Sequence, residues 1–399
     1  MSFLERRYLS IYSSMLINFT IFGATLTLIG AALPQILGEL GWNYTKAGAV
    51  ISAGAIGYFI STFICGILTG RIGPRFVIAS GLLIQAAGLS LFAVTPIFLI
   101  NMVLQFLIGF GQGGTEVVVN FSVVRIEKGQ QSRLMNLMHA SFSFGAIISS
   151  FIIGRLTRIK SGWHLTYRGL AVLSFIMAIS MLLLPFERLE RRDASGNNDR
   201  GSLHILKQPL LIFSFLILLL YVGSEMGVSS WVAEYYVKVL HTPSSAGAYM
   251  VSLIWAGILI GRLGISTWYK SSRQPELLFI LSGICLLSLT FAIMMKNPVS
   301  AGAGFFISGL GYSAIYPVVI ALVGRGFPES QSTAIGFTST GGGVGAFVFP
   351  FVMAAISEQF GLRNGFFFYI ILNASMATLS WVVLRHLRSK ESNSLLDSF

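Results

Sequence analysis

The sequence predicts an all-α integral membrane protein, with twelve transmembrane helices arranged as two pseudo-symmetric six-helix bundles. Three observations carry that prediction. Hydrophobic residues fill 54% of the 399 positions and charged residues 11%, well under the roughly 25% charge of a soluble domain. Apolar stretches of about 20 residues, the length that crosses the hydrocarbon as helix, recur along the whole chain between short polar breaks. Segments of the first half also return in the second, on either side of one long polar stretch.

The elements follow in order. The first span, near 11–36, comes after "MSFLERRYLS"; it is too long for a signal-peptide core and lacks a small-residue cleavage site, so it reads as a retained helix. It carries Asn18. The second, 46–69, leads into "GILTGRIG", and the third, 76–95, carries Gln85. The fourth, 98–122, contains "GFGQGGTEVVVN"; the fifth, 134–154, holds Asn136 and His139; the sixth covers 168–186. The stretch "ERLERRDASGNNDRGSLHILKQ" then divides the chain into an N-terminal bundle (1–186), a cytoplasmic central loop (187–208) and a C-terminal bundle with a short cytoplasmic tail (209–399). The seventh span, 209–231, carries Glu225 and Trp231, and the eighth, 245–268, carries Trp255 and Arg262. The ninth covers 276–295. Tyr312 and Tyr316 fall in the tenth (298–323), and Thr338, Ser339 and Thr340 in the eleventh (331–357). The twelfth covers 365–385.

The repeat is visible in three places. "GILTGRIG" at 66–73 returns as "GILIGRLG" at 257–264; "FLIGFGQG" at 106–113 faces "FISGLGYS" at 306–313; "FGAIISSF" at 144–151 faces "VGAFVFPF" at 344–351. The last two pairs share an offset of 200. Two parallel six-helix halves around a longer central loop describe a carrier that binds its substrate between the halves near the midplane.

A net charge of +12 does not point to nucleic acid, because of where the cations fall. With both termini in the cytoplasm, roughly 19 of the 27 Lys and Arg face inward, as the positive-inside rule requires. The exception is "GRLTRIKSGWHLTYR", with Arg155, Arg158, Lys160 and Arg168 outside. Cys65 and Cys285 lie inside predicted spans, so no disulfide framework is expected.

Glu116 and Glu225 stand out as acids within the apolar spans, where an ionisable group costs at least about 2.5 kcal/mol and is rarely idle. Gln112, Glu116 and Asn120 are spaced by four and share one helix face. Amides on that face bind hydroxyls, and a carboxyl group in low dielectric can hold and release a proton, as a proton-coupled carrier requires. Glu225 is the second candidate, in a helix expected to be broken near its outer end. Trp231 is either a stacking platform or an interfacial aromatic, and Glu234 is expected to be solvated. Asn18, His139, Trp255, Tyr312 and Tyr316 are candidate substrate contacts, since aromatic rings and amides together suit a neutral polyol. Lys and Arg are expected to be missing from the interiors of the spans, which disfavours an anionic substrate.

With these residues assembled, the chain resembles the major facilitator superfamily over essentially its full length. The cytoplasmic loop after the second helix in that superfamily runs Gly-x-Leu-Ala-Asp-Arg-x-Gly-Arg-Lys. Here Gly66, Leu68, Arg71, Gly73 and Arg75 match, with Gly70 where the family has Asp. The resemblance implies gating roles for Gly66, Arg71, Gly73 and Arg75, and for Arg262 in the second half. Around Glu116 the chain is similar to the fucose-galactose-glucose:proton symporter family and its Bacillus-type glucose/mannose members. Gly109, Gly111, Glu116, Asn120 and Phe121 match its fourth helix, with Val117 in place of Thr, and Tyr221, Gly223 and Glu225 match its seventh. The fucose type also has an Asp four residues before the Pro that ends helix one, where this chain has Gly30 before Pro34.

The expected function is proton-coupled uptake of a neutral sugar or polyol by alternating access, with Glu116 and Glu225 as the proton-coupling acids. The rival transport reading is a proton-coupled exporter of drugs or lipophilic cations; such antiporters carry Gly-Pro in helix five, whereas "FGAIISSFIIG" has no Pro. An enzyme is not expected, because no metal-ligand spacing, nucleophile motif or domain-sized loop occurs. No cofactor, metal or nucleic acid is implied. The expected partners are the lipid bilayer, the substrate and a proton, for a monomer in the plasma membrane with cytoplasmic termini.

Overall fold

The structure is a computed structural model, described over residues 8–126, 133–184, 186, 203–268 and 274–396. Among the described residues, twelve helices are long and apolar enough to cross a membrane: Leu9–Leu40, Tyr44–Ile72, Pro74–Leu91, Phe98–Ile126, Leu137–Leu156, Trp163–Leu183, Pro209–Lys238, Ser244–Gly264, Gln274–Met294, Pro298–Gly326, Thr333–Phe360 and Leu362–Ser389. Large apolar side chains such as Phe63, Phe144, Phe151 and Leu287 are exposed along them. On a soluble protein such a surface would aggregate; lipid is the solvent that accepts it.

Local sequence sets many of the helix ends. Asn43 caps the second span by accepting from Lys46 N at 2.9 Å, and Asn297 caps the tenth by accepting from Val299 N at 2.8 Å. Pro74 and Pro298 occupy first-turn positions, where no amide hydrogen is needed. Gly41 ends the first span in the left-handed conformation (φ 64°).

The tenth span is two helices, Pro298–Tyr312 and Ile315–Gly326. Pro317 accounts for the break: it has no N–H to give the carbonyl four residues back, that of Ser313, and its ring crowds that position. Arg262 supplies the missing donor, its Nε lying 3.3 Å from Ser313 O.

The two halves repeat their internal packing at an offset of 200. A methyl group built on Gly57 would lie 3.1 Å from Phe110 N, and one built on Gly257 would lie 3.1 Å from Leu310 N. On Gly111 it would meet Gln85 N at 2.9 Å, and on Gly311 Cys285 N at 3.0 Å. These backbones touch because no side chain intervenes, the small-residue packing of membrane helices. The register corrects one expectation. Gly257 is the counterpart of Gly57, not of Gly66, so Arg262 has no counterpart in Arg71. Arg71 is exposed in the last turn of its helix, while Arg262 lies inside Ser244–Trp268, half-buried. A half-buried cation is therefore present within a span, contrary to the expectation that none would be.

One of the four cations of the exception in the charge pattern, Arg168, also finds a role. The sixth span starts at Trp163, five residues earlier than expected, so Arg168 lies within it. Its guanidinium donates to Leu89 O, and to Phe92 O at 2.8 Å, capping the end of the third span. Arg363 does the same for the ninth, donating to Ile293 O at 2.8 Å and Met294 O at 3.4 Å. These cations are consumed by helix ends rather than offered to the membrane surface.

By compactness the chain forms two units: Met1–Gly196 with Ser229–Trp255, and Asn197–Val228 with Ala256–Phe399. The ends of the seventh and eighth spans nearest their connecting loop thus belong to the first unit.

Candidate functional site

In the first unit the site is built around Glu116 in the middle of the fourth span. The tight glycine packing of the second and fourth spans brings Tyr58 beside it, and the Tyr58 hydroxyl donates to the Glu116 carboxylate. Asn120, one turn further on, lies on the same helix face, and its Oδ1 is buried with no partner. One turn the other way, Gln112 donates from Nε2 to Thr25 Oγ1 of the first span at 3.0 Å. Phe22 stacks on Tyr58, with ring centroids 6.1 Å apart at 22°. Glu116, Asn120 and Tyr58 are half-buried and Gln112 is buried. The arrangement offers a carboxylate, an orphan amide acceptor and an aromatic face within two helical turns. Chemically it can bind hydroxyls and hold a proton.

The second acid, Glu225, lies in the other unit. It is 4% exposed and accepts from the Tyr221 hydroxyl at 2.9 Å. Arg262 acts on it electrostatically. Tyr312 is fully buried nearby, its ring 6.0 Å from that of Tyr221, and its hydroxyl donates to Asn373 Oδ1 at 3.3 Å. Glu225 is therefore held by a tyrosine hydroxyl, as Glu116 is, and differs in that the charge of Arg262 acts on it. The seventh helix is continuous over Pro209–Lys238; the expected break near its end does not occur, because no Pro interrupts it.

The remaining candidates separate. Asn18 is fully buried, donating to Ser14 O at 2.8 Å and Met181 Sδ at 3.5 Å. His139 is half-buried, edge-on to Phe19 at 5.4 Å. Trp255 is 1% exposed, donates to Ser229 Oγ at 2.8 Å and packs edge-on against Phe142. Trp231 is 0% exposed, which corrects the expectation of an open stacking platform or an interfacial ring. Glu234, expected in solvent, is 1% exposed. Tyr316 is exposed, its hydroxyl donating to Ser339 Oγ at 3.1 Å. Gly66 and Arg71 belong to the second helix itself, and only Gly73 (φ 87°) separates that helix from the third, so the expected loop is a single residue. Arg75 follows in the first turn of the third helix, its guanidinium 5.7 Å from the Phe76 ring centre. Asn136 has its side chain outside the described residues, as have Arg6, Arg7, Lys128 and most of the central loop.

Tyr58, Phe22 and Thr25 escaped the sequence reading. The one available signal was a tyrosine amid the small and apolar residues "SAGAIGYFIST", a weak cue without the fourth span beside it. Among the described residues, no group of three His, Cys, Asp or Glu side chains is arranged to hold a metal.

Comparison with known proteins follows this geometry. The Major Facilitator Superfamily profile matches residues 15–304 and 278–397. The glucose/mannose transporter GlcP of Bacillus subtilis (strain 168) is 23% identical over 338 residues, covering 80% of this chain and 82% of that protein. The crystal structure of the nucleoside transporter NupG superposes with a TM-score of 0.77 at 16% identity, over 96% of this chain and 99% of that one. FucP, a superfamily transporter in the outward conformation, superposes with a TM-score of 0.63 at 19% identity, over 95% of this chain and 99% of that one. The solved structures speak for the fold; the chemistry has to come from the side chains.

Proposed function

Because the chain belongs to the Major Facilitator Superfamily, we propose that this multi-pass membrane transporter takes up a neutral sugar or related polyol together with a proton. The observation that carries the reading is the hydrogen bond from the Tyr58 hydroxyl to Glu116 beside an unpaired amide oxygen on the same helix face. Asn120 Oδ1 is buried and unpaired, and a buried acceptor without a donor costs about 1–3 kcal/mol. A sugar hydroxyl meets that need. Glu116 is the proton carrier, Gln112 and Asn120 bind hydroxyls, and the Phe22 and Tyr58 rings offer an apolar face to the carbon skeleton. The likeness to GlcP supports a hexose. Glu225, beside Arg262, is assigned the second coupling role. Arg262 already donates to Ser313 O, so a neutral substrate is retained. The protein acts as a monomer in the plasma membrane, with both termini cytoplasmic, an N-terminal bundle 1–186, a central loop 187–208 and a C-terminal bundle 209–399.

The test is uptake of labelled hexoses into proteoliposomes, with and without an inward proton gradient, with nucleosides in the panel because of the fold shared with NupG. Glu116→Gln is expected to abolish accumulation against the gradient while exchange persists, since the neutral amide mimics the protonated acid. Accumulation by the mutant at the wild-type rate would overturn the assignment. The Phe22–Tyr58 stack beside a carboxylate also suits a lipophilic cation. If no sugar moves and such a cation exchanges for protons, the export reading replaces the symport one.

A further inference from the structure

The seventh span holds a third acid, Glu234, that sugar–proton coupling does not use. Glu234 lies one turn from Lys238, the last residue of that helix, at the end assigned to the outside. The Tyr44 hydroxyl, from the start of the second span, donates to its Oε1 at 3.2 Å. The Tyr44 ring stands edge-on to Trp231, centroids 5.6 Å apart at 86°. Neighbouring contacts tie the same ends together. A methyl group built on Gly30 of the first span would lie 2.8 Å from both Ser229 O and Ser230 Cα, and Ser252 of the eighth span donates to Ile147 O of the fifth at 2.9 Å. All of these residues belong to the first compact unit. Gly30 is also where the fucose type carries its Asp, and here the backbone of the seventh span leaves no room for any side chain.

This docking is incompletely satisfied. Glu234 Oε2 and Trp231 Nε1 are both buried without a hydrogen-bond partner, and Lys238 acts on Glu234 through its charge. Buried polar groups are normally paired, so the docked ends carry a desolvation cost that hydration would remove if they parted. A contact with one good hydrogen bond and two orphans is poised rather than permanent, as a gate must be.

We propose that the Tyr44–Glu234 hydrogen bond is a latch that holds the outer ends of the second and seventh spans together, with Glu234 a positioning residue of the transport cycle. The proposal rests on the alternating-access reading, but its test needs neither substrate nor proton gradient. Ser230→Cys, which faces Gly30, serves as a reporter in proteoliposomes, labelled from outside by a membrane-impermeant maleimide; the native Cys65 and Cys285 are buried. Tyr44→Phe, which keeps the ring against Trp231, and Glu234→Ala are each expected to raise the labelling rate about tenfold, the shift that one lost hydrogen bond gives. Glu234→Gln keeps the acceptor oxygen and is expected to label as slowly as the parent. Monodisperse elution and an unchanged Tm for Tyr44→Phe establish that the variant is folded. Unchanged labelling in both Tyr44→Phe and Glu234→Ala overturns the latch, as does labelling of Glu234→Gln as fast as that of Glu234→Ala. Neither result depends on which solute is carried, so the latch and the sugar-symport reading fail separately.

Discussion

At the scale of single residues, the three acids within the spans have three different surroundings. Glu116 has a tyrosine and an amide for company, Glu225 a cation and a tyrosine, and Glu234 a tyrosine and an orphan oxygen. The first was legible because Gln112, Glu116 and Asn120 recur every four residues in an apolar run, a pattern with a physical period. Tyr58 was not, since one hydroxyl in one span has no period and its partner lies 58 positions away. Glu234 was misjudged because its place near a helix end suggested solvent, whereas Tyr44 and Trp231 cover it. Arg262 gives the prediction proper to this scale. Arg262→Gln takes the guanidinium away from Ser313 O, whose usual helical donor is missing at Pro317, and is expected to cost about 1–3 kcal/mol. Pro317→Ala restores that donor, so the double variant is expected to recover much of the loss in a thermal melt. A double variant no more stable than Arg262→Gln alone would show that the carbonyl is not what Arg262 serves.

At the scale of elements, the glycines set how closely helices approach, and they set the register of the repeat. The match of "GILTGRIG" with "GILIGRLG" runs from 66 to 257, an offset of 191. Packing follows 200, pairing Gly57 with Gly257 and Gly111 with Gly311. Identity of letters misled here because Gly, Ile and Leu recur cheaply in spans, while backbone approach demands glycine at fixed places. Twelve helices could be placed from hydropathy alone; the break at Ser313 could have been foreseen from Pro317, and the long seventh helix from its lack of proline. Gly57→Val is expected to destabilise by about 1–3 kcal/mol through overpacking, because the nearest atoms are backbone atoms of the fourth span, which cannot rotate away. Gly66→Val, with nothing within 4 Å of its added atom, is the control. Equal melting temperatures for the two variants would contradict this account.

At the scale of the whole molecule, orientation rests on charge, and the helix caps sharpen the count. Arg168 and Arg363 are held by carbonyls at the ends of the third and ninth spans, so neither contributes a free outer charge to the balance that sets topology. A fluorescent protein fused after Phe399 is expected to fold and fluoresce, and alkaline phosphatase fused there to stay inactive. The same phosphatase inserted between the fifth and sixth spans, near residue 160, is expected to be active; the reverse pattern would invert the topology. Sequence could supply the class and the spans because each follows from hydropathy and charge summed over many residues; the orientation is what the fusions test. Contacts between distant segments leave no such sum to read. One of them makes the protein its own optical sensor. Trp231 is 0% exposed, with its ring edge-on to Tyr44 and its indole N–H unpaired, and that burial keeps indole emission toward the blue, as it does for Trp42 at 6% exposure. Trp163 and Trp255 keep hydrogen-bond partners in Glu39 and Ser229. If the Tyr44–Glu234 contact parts, water reaches Trp231 and its emission moves to longer wavelength, so unlabelled protein would announce each opening by its own colour.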